Sequence, residues 1–247
     1  MKKSKKIIVM TVVAIVAFLT ATIRVQAVEK ERNILENFPT ETPQKIAYLT
    51  FDDGPSIYTE KLLDTLNEHD AYGIFFVTGC QIDFMPDADR ILKRIVDEDH
   101  FIALHTMTHD KNALYRLEKS PERFTEEMFE LRTDLKNRLG WETNLCRAPY
   151  GKANHFKAAH YLAVEKAGLY CVDWHVDSQD WAKQNADQVY NQVASQLKDY
   201  PDQQELVLLF HEYQRTVDAL PRIIKLLREH GYSFVPYVEG HVFEGLD

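Results

Sequence analysis

Hydrophobic runs alternate with amphipathic stretches along most of the chain. Seven runs are rich in apolar, β-branched or aromatic residues, at approximately 45–51, 72–77, 101–104, 144–148, 169–174, 205–210 and 232–236. Short runs of this composition predict buried strands, and the stretches between most of them predict helices. Repeated strand–helix alternation predicts an α/β fold with a parallel sheet and helices outside it.

Capping residues define the limits of two predicted helices. One begins at the Ser-Pro pair at 120–121, a capping residue followed by proline at the first helical position, and ends at Gly140. The other runs from Leu220 to His230 and stops at Gly231, because glycine adopts the left-handed backbone that ends many helices.

A closed barrel and an open doubly wound sheet both satisfy this alternation. In a barrel the polar residues gather at the carboxyl ends of many strands, whereas an open sheet concentrates them at one switch point. Polar clusters follow five of the seven runs, at 52–53, 105–109, 147–151, 173–181 and 211–212. This distribution favours a barrel.

The N-terminal region has a different composition. Several lysines precede an apolar run at 7–23, and a possible small-residue cleavage site ends at Ala27. This pattern predicts that residues 1–27 are a secretory signal peptide or an N-terminal membrane anchor, which would make the protein extracellular or bound to the cell surface. Residues 28–44 are polar and predict a linker to a domain at 45–242.

Composition and charge narrow the classes of function. Hydrophobic residues make up 45% of the chain, which is typical of a globular protein. The net charge is −9, and the segment 1–27 holds five Lys or Arg and no acid, so the remainder carries −14. An acidic protein is a poor ligand for nucleic acid, and a neutral substrate fits better. A monomer is the favoured oligomeric state.

The chain has three cysteines, Cys80, Cys146 and Cys171. An odd number is not a disulfide framework, although one bridge is conceivable outside the cell. The simpler expectation is that each is a small buried residue.

A histidine pair and an acid pair together indicate a metal site. His105 and His109 are four residues apart at the end of a predicted strand, and this spacing lets two imidazoles bind one ion. Two imidazoles and one carboxylate are a common set of ligands for a divalent metal. Either Asp52 or Asp53 is able to supply that carboxylate.

The acid that does not bind metal is a candidate general base. In an extended strand successive side chains alternate, so the two aspartates are expected to point in different directions. The second carboxylate would then take a proton from a water molecule. Arg147 is a suitable partner for it, and the turn in RAPYG at 147–151 presents backbone amides that are able to bind an oxyanion.

His211 ends the apolar run LVLLF. It is either a core histidine or the general acid that a hydrolysis needs for its leaving group. An aspartate of DWHVDSQDW at 173–181 is placed to orient it. In the same segment Trp174 and Trp181 are candidates for the wall of an apolar pocket.

Taken in order, these clusters resemble the polysaccharide deacetylases of the NodB-homology type, carbohydrate esterase family 4. The resemblance covers residues 45–240. Its five motifs are matched by TFDDGP at 50–55, HTMTH at 105–109, RAPYG at 147–151, DSQDW at 177–181 and LLFH at 208–211. Asp99 stands where the family often has glycine and Thr106 where serine is usual, and no core catalytic position is missing.

The resemblance implies a distorted (β/α)7-type barrel and one divalent metal ion. Zinc is the favoured ion, with cobalt or another divalent ion as alternatives. Asp53, His105 and His109 would bind the metal. Asp52 would be the general base, and Arg147 would brace it.

The resemblance also assigns the remaining roles. His211 would be the general acid, tuned by Asp180. The backbone amide of Tyr150 would bind the oxyanion, and Tyr150 would contact the substrate. Trp181 and Leu209 would line the pocket for the methyl group of the acetyl substituent.

These expectations lead to an exported, metal-dependent enzyme that removes the N-acetyl group from N-acetylglucosamine in a glycan, with peptidoglycan as the favoured substrate. The same chemistry on N-acetylmuramic acid, chitin oligomers, a secreted exopolysaccharide or O-acetylated xylan is the alternative. A catalytically silent glycan-binding barrel is a second alternative, disfavoured because Asp52 and His211 are both present. A third is iron-dependent oxidation with the same ligand set, which release of acetate without oxygen would exclude.

Overall fold

A parallel seven-stranded sheet lies at the centre of residues 45–246, the part of the chain that the computed structural model describes. The strands are β1 (Ile46–Gly54), β2 (Gly73–Val77), β3 (Phe101–Leu104), β4 (Leu145–Cys146), β5 (Tyr170–Cys171), β6 (Val176–Asp177) and β7 (Glu205–His211). The α-helices are α1 (Thr59–Glu68), α2 (Gly79–Phe84), α3 (Ala88–Asp97), α4 (Lys111–Tyr115), α5 (Ser120–Leu139), α6 (Ala158–Lys166), α7 (Ala186–Gln196) and α8 (Gln214–Glu229).

The sheet is strongly curled. Its hydrogen-bonded order is β5-β4-β3-β2-β1-β7-β6, so β5 and β6 are the two edges, yet only residues 172–175 connect them. Five steps of extended chain span at most about 18 Å, whereas seven strands laid flat are about 29 Å across. The two edges must therefore approach each other, and the predicted distorted α/β barrel is confirmed.

The two faces of the sheet have different partners. Leu49 and Phe51 of β1 belong to a hydrophobic cluster shared with the helices. Tyr48 lies in a second cluster, which contains strand and loop residues but no helical residue and fills the inside of the curled sheet. Because side chains alternate along β1, Thr50 and Asp52 share the inner face with Tyr48, and Asp52 comes last, at the carboxyl end.

Six of the seven predicted strands are present. The run at 232–236 is the exception, and its prediction was wrong. Ser233 makes one isolated bridge with Ile46 and no ladder follows; Pro236, which has no N–H, would interrupt one. The remaining strand is β6, which gives no hydrophobic run because Val176 lies between His175 and Asp177.

The predicted helix at 120–140 is confirmed as α5, and Gly140 follows it with a left-handed φ of 68°. The prediction that the last helix begins at Leu220 was wrong, because α8 begins at Gln214 and includes Pro221. Its buried residues keep a helical spacing on both sides of the proline: Thr216, Ala219, Leu220, Ile223, Ile224 and Leu227. Packing of this stripe on the sheet outweighs the hydrogen bond that proline cannot make.

Several predictions concern the ends of the chain and the cysteines. The predicted signal or anchor at 1–27 and the linker at 28–44 lie outside the described residues. None of the helices within residues 45–246 has the length and apolar character needed to cross a membrane. The packed chain continues past 242, since Phe243 is buried. Cys146 and Cys171 are buried free thiols as expected, but Cys80 is exposed, so its prediction was wrong.

Candidate active site

Side chains from the carboxyl ends of six of the seven strands meet in one cavity. β1 contributes Asp52 and Asp53, and Asp52 is paired in register with His211 of β7. The cavity has a volume of about 430 Å³. It is lined by Asp52, Asp53, His105, His109, Tyr150, Trp174, Asp177, Trp181, Leu209, His211 and Tyr213. The sequence analysis gave Asp177 no role of its own, although it begins the DSQDW motif and belongs to β6, and it did not predict Tyr213.

Asp53, His105 and His109 form a cluster suited to a metal ion. Oδ1 of Asp53 lies 3.3 Å from Nε2 of His105 and 3.2 Å from Nε2 of His109. One ligand atom from each residue lies within 4.8 Å of the others. Carboxylate and imidazole ligands in this number suit a divalent ion and leave positions open for water and substrate.

Lone pairs face one another inside this cluster. Nδ1 of His105 lies 2.9 Å from the carbonyl oxygen of Arg147, which can only accept, so the proton is on Nδ1 and Nε2 carries a lone pair. Oδ1 of Asp53 is buried and has no hydrogen-bond donor among residues 45–246. A buried carboxylate oxygen without a donor is costly, and a cation between these atoms removes that cost, so the residues fit a metal.

The two aspartates face the same cavity, contrary to the expectation from strand alternation. Asp53 has a left-handed φ of 68°, and the pairing of β1 with β2 shifts register between Asp52 and Gly54. As a result Oδ2 of Asp52 lies 3.8 Å from Nε2 of His105, the atom that Asp53 also approaches. The backbone bulge, which alternation alone does not reveal, brings both carboxylates together.

Asp52 is held by a fully buried arginine. Nη1 of Arg147 donates to Oδ1 of Asp52 at 2.8 Å and to Oγ1 of Thr50 at 2.7 Å. The other guanidinium nitrogens donate to the backbone carbonyls of Val172 and Asp173 at 3.3 and 3.1 Å. Oδ2 of Asp52 therefore remains available to accept a proton in the cavity. The positive charge of Arg147 offsets part of the cost of placing two adjacent carboxylates at the end of a buried strand.

His211 and Asp180 form a second acid–base unit. Nδ1 of His211 donates to Oδ1 of Asp180 at 2.8 Å. Oδ2 of Asp180 accepts from the His211 backbone N–H at 2.6 Å and from the hydroxyl of Thr216 at 2.7 Å. The ring is thus oriented with Nε2 toward the cavity, 4.0 Å from Oδ2 of Asp53.

The protonation of His211 follows from these neighbours. Burial alone would lower the pKa of His211, but the hydrogen bond and charge of Asp180, with the charges of Asp52 and Asp53, raise it to about 9. A histidine with such a pKa is protonated at neutral pH and can donate a proton.

Tyr150 forms one wall of the cavity. Its residue has a left-handed φ of 66° within the turn that Ala148 and Gly151 close by a backbone hydrogen bond of 2.9 Å. Within the described part of the chain, the N–H of Tyr150 has no acceptor. The residue is 50% exposed, and its ring lies 4.7 Å from the ring of His109.

Trp181 and Leu209 lie in the cavity wall, as does Trp174. Leu209 is buried, whereas Trp181 is 58% exposed. Together they give the cavity an apolar part next to its charged part, a combination typical of sites that bind small organic groups.

Comparison with known proteins identifies the family. The model of the polysaccharide deacetylase family matches residues 40–172. The chain belongs to the polysaccharide deacetylase family. A peptidoglycan-N-acetylglucosamine deacetylase of Bacillus cereus is 34% identical in sequence, and the alignment covers 97% of this chain and 95% of that protein. A chitooligosaccharide deacetylase of a Bradyrhizobium species is 30% identical over 84% of this chain and 96% of its own length.

A solved structure supports the same assignment. The crystal structure of a polysaccharide deacetylase from Bacillus cereus superimposes with a TM-score of 0.71 at 35% identity, and the match covers 81% of this chain and 95% of that one. The curled parallel sheet described above is therefore the fold of this deacetylase family.

Two buried carboxylates, which the sequence analysis did not identify, hold loops next to the deacetylase site. The first is Glu127 of α5, which is completely buried. Its Oε2 accepts from the backbone N–H of Thr108 at 2.9 Å, and its Oε1 accepts from the Thr108 hydroxyl at 2.9 Å. Arg123 of the same helix donates to Glu127 at 3.0 Å. Glu127 thereby ties the loop that carries His109 to α5.

The second is Glu212, directly after His211. Its Oε2 accepts from the backbone N–H of Ser56 at 2.9 Å and from the hydroxyl of Thr59. Burial raises the pKa of Glu212 to about 7, against the opposing effect of these hydrogen bonds. A Cβ at Gly54 would collide with the Glu212 carboxylate, so this position of the deacetylase requires glycine.

The sequence contained a weak signal for both. Glu127 lies at a position where the α5 pattern is otherwise apolar, and Glu212 directly follows an apolar strand. A charged residue at a position expected to be buried indicates a specific partner, but the sequence does not identify that partner.

Strained backbone is concentrated at the site. Of the seven non-glycine residues with left-handed φ in the described chain, Asp53, His109 and Tyr150 line the deacetylase cavity, and Thr106 lies between the two histidines of the cluster. Thr106 has a φ of 70° and His109 a φ of 56°. Such conformations cost about 1 kcal/mol or more each and persist where surrounding contacts enforce them, which is common at active sites.

Proposed function

We propose that this chain is an exported, metal-dependent deacetylase that hydrolyses the N-acetyl group of N-acetylglucosamine residues, with peptidoglycan as its substrate. The observation that carries the proposal is the position of two acid–base units around one metal-type cluster. Asp52 with Arg147, and His211 with Asp180, both face the Asp53 cluster in a single cavity.

In this proposal Asp53, His105 and His109 bind the divalent ion, for which zinc is our choice. When bound, the ion would polarise the carbonyl of the acetamide and a water molecule next to it. The chain's own groups place the substrate: the methyl group lies against Leu209 and Trp181, and the carbonyl oxygen lies within reach of the Tyr150 N–H.

Proton transfer in the proposed reaction is divided between the two units. Asp52 accepts a proton from the attacking water while Arg147 keeps its other oxygen in place, and a bond forms between the water oxygen and the carbonyl carbon. The Tyr150 N–H donates to the oxygen that becomes negative. His211 gives its proton to the amide nitrogen, and the carbon–nitrogen bond breaks. The products are acetate and a free amine.

Peptidoglycan is the proposed substrate for two reasons. The Bacillus cereus relative named above aligns along nearly the whole chain, and it is a peptidoglycan-N-acetylglucosamine deacetylase. The predicted signal or anchor at 1–27 would also place the enzyme outside the cell membrane, where a bacterial wall is found. The Bradyrhizobium relative supports chitin oligomers as the second candidate.

Release of acetate tests this function. The purified protein would be stripped of metal, reloaded with zinc and mixed with peptidoglycan or with N-acetylglucosamine oligomers. We expect metal-dependent acetate release that is lost in Asp52→Asn and retained in His230→Gln, a change at an exposed histidine outside the cavity. Absence of acetate from both glycans, with zinc bound, would refute the proposed reaction.

A further inference from the structure

Two free cysteines lie opposite each other on neighbouring strands. β4 and β5 pair in parallel, and in their register Cys146 is the partner of Cys171. The N–H of Tyr170 donates to the carbonyl of Asn144, and the N–H of Val172 donates to the carbonyl of Cys146, both at 2.9 Å. These two hydrogen bonds flank Cys171 and fix the register at this position.

The spacing of these strands suits a disulfide between the two residues. Adjacent strands lie about 4.8 Å apart, and a disulfide joins cysteines whose Cα atoms are about 4.4–6.8 Å apart. Both side chains belong to the hydrophobic cluster shared with the helices, so they project from the same face of the sheet. The Cys146 and Cys171 side chains are hydrogen-bonded to each other, and the two sulfur atoms are therefore direct neighbours.

Neither of these cysteines has a role in the candidate active site. Cys146 is completely buried, Cys171 is 8% exposed, and neither lines the cavity. Burial raises the pKa of Cys146, and the Cys171 thiol raises it further, so the folded protein holds little of the thiolate that disulfide exchange requires. The redox state of the pair is therefore set while the chain folds and is kept once the helices cover it.

The pair lies directly behind the arginine that holds Asp52. Cys146 precedes Arg147, and Cys171 precedes Val172, whose carbonyl accepts from Nε of Arg147 at 3.3 Å. β4 and β5 have only two residues each, and β5 is an edge of the sheet. Short edge strands with few ladder hydrogen bonds open locally more readily than the centre of a sheet. A covalent link at this point would hold the segment on which the position of Arg147 depends.

We propose that Cys146 and Cys171 form a disulfide when the chain folds after export, and that this bond fastens β5 to β4 behind Arg147. The inference rests on the export part of the proposed function, because disulfides form and persist outside the reducing cytosol. The oxidant is another disulfide, of a small thiol or of a thiol oxidoreductase. The thiolate of one cysteine attacks it, forms a mixed disulfide and releases one thiol, and the second cysteine then displaces the other thiol. Two cysteine thiols and one disulfide thus give the Cys146–Cys171 bond and two free thiols.

Thiol counting tests the bond directly. The variant Cys80→Ser isolates the pair, since Cys80 is the exposed third cysteine, in α2 outside the sheet. The full chain with this change is unfolded and reduced in urea, and is then refolded with oxidised and reduced glutathione. It is denatured again and treated with a maleimide, which labels free thiols. We expect no labelled thiol and a mass two hydrogens below that of the reduced chain, and a digest should contain the peptides of Cys146 and Cys171 joined to each other.

The bond should also stabilise the fold, because it closes the loop from Cys146 to Cys171 in the unfolded chain. Protein refolded with glutathione should have a Tm about 8 °C above that of protein refolded with a reductant. Amide hydrogen exchange at 170–172 should be slower in the bonded protein. The matched control is Cys80→Ser/Cys146→Ala/Cys171→Ala, which has no bond to form and should have the same Tm after both treatments.

Two results would overturn the inference: free thiols at Cys146 and Cys171 after refolding with glutathione, or a Tm that is the same in the oxidised and the reduced protein. Acetate release from peptidoglycan is measured on the same samples after loading with zinc. If acetate appears while both cysteines stay free, the disulfide inference fails and the proposed deacetylation stands. If the bond forms but no acetate appears, the proposed reaction fails and the disulfide stands.

Discussion

Replacing Arg147 by methionine should destabilise the fold by several kcal/mol. Arg147 is completely buried, donates to Asp52, Thr50 and two backbone carbonyls, and stacks 4.1 Å from the ring of Phe76. Methionine preserves most of the packing volume but leaves a buried carboxylate without its cation. Removing one partner of a buried pair costs about 3–5 kcal/mol, which corresponds to a fall in Tm of about 10 °C for a domain of this size.

A double-mutant cycle distinguishes this cause from loss of packing. In the double variant Asp52→Asn/Arg147→Met neither charge of this buried pair remains, so its free energy of unfolding in urea should recover about 2 kcal/mol or more of the loss. The control Arg132→Met removes an arginine that also stacks on an aromatic ring, 4.7 Å from Phe129, but is only half-buried and has no acidic partner among residues 45–246. It should change stability by less than about 0.5 kcal/mol. A loss below about 1 kcal/mol in Arg147→Met, or an equal loss in both variants, would refute the reasoning.

Three further perturbations test other parts of the site. Folding raises the pKa of Glu212 from 4.5 to about 7, so the folded state holds this proton more tightly, and the free energy of unfolding falls by up to about 3 kcal/mol as pH rises from 4.5 to 7. Glu212→Gln should remove this dependence of stability on pH. The same dependence in both proteins would contradict the assignment. Glu127→Gln should weaken zinc binding about 10-fold, as measured by competition with a chelator. The control Glu130→Gln, at an exposed position of the same helix, should leave the zinc affinity unchanged. Equal zinc affinities in the two variants would exclude a role for Glu127 in the metal loop. Asp180→Asn should lower the pKa of His211 from about 9, so the alkaline limb of the kcat–pH profile should move to lower pH, and an unmoved limb would show that another group titrates there.

The site was predictable from the sequence where its residues follow strands. Asp52, His105 and His211 each follow an apolar run directly, Arg147 lies near the end of another, and parallel strands place their carboxyl ends at the same edge of the sheet. Their meeting in one cavity therefore required only a correct sheet. The division between metal ligand and proton acceptor in the first acid pair came from resemblance to the family, not from alternation.

What the sequence did not reveal depends on tertiary contacts. Strand alternation would point the side chain of Asp53 away from that of Asp52. The left-handed backbone at Asp53 instead turns it into the cavity that both residues share. The last helix was predicted to begin at Leu220, yet the buried stripe of α8 begins at Thr216 and extends past Pro221. Glu127 and Glu212 are bound to loops distant in sequence, and no local pattern identifies such partners.

The central claim is that one divalent ion at Asp53, His105 and His109 is required for removal of the acetyl group. The most direct test is titration of zinc into metal-free protein while acetate release from peptidoglycan is measured at each addition. The account predicts that the rate is negligible without metal, rises in proportion to added zinc and reaches a plateau at about one equivalent, and that His109→Gln shifts the plateau to far higher zinc. Full activity in the metal-free protein, or a titration curve that His109→Gln leaves unchanged, would contradict it.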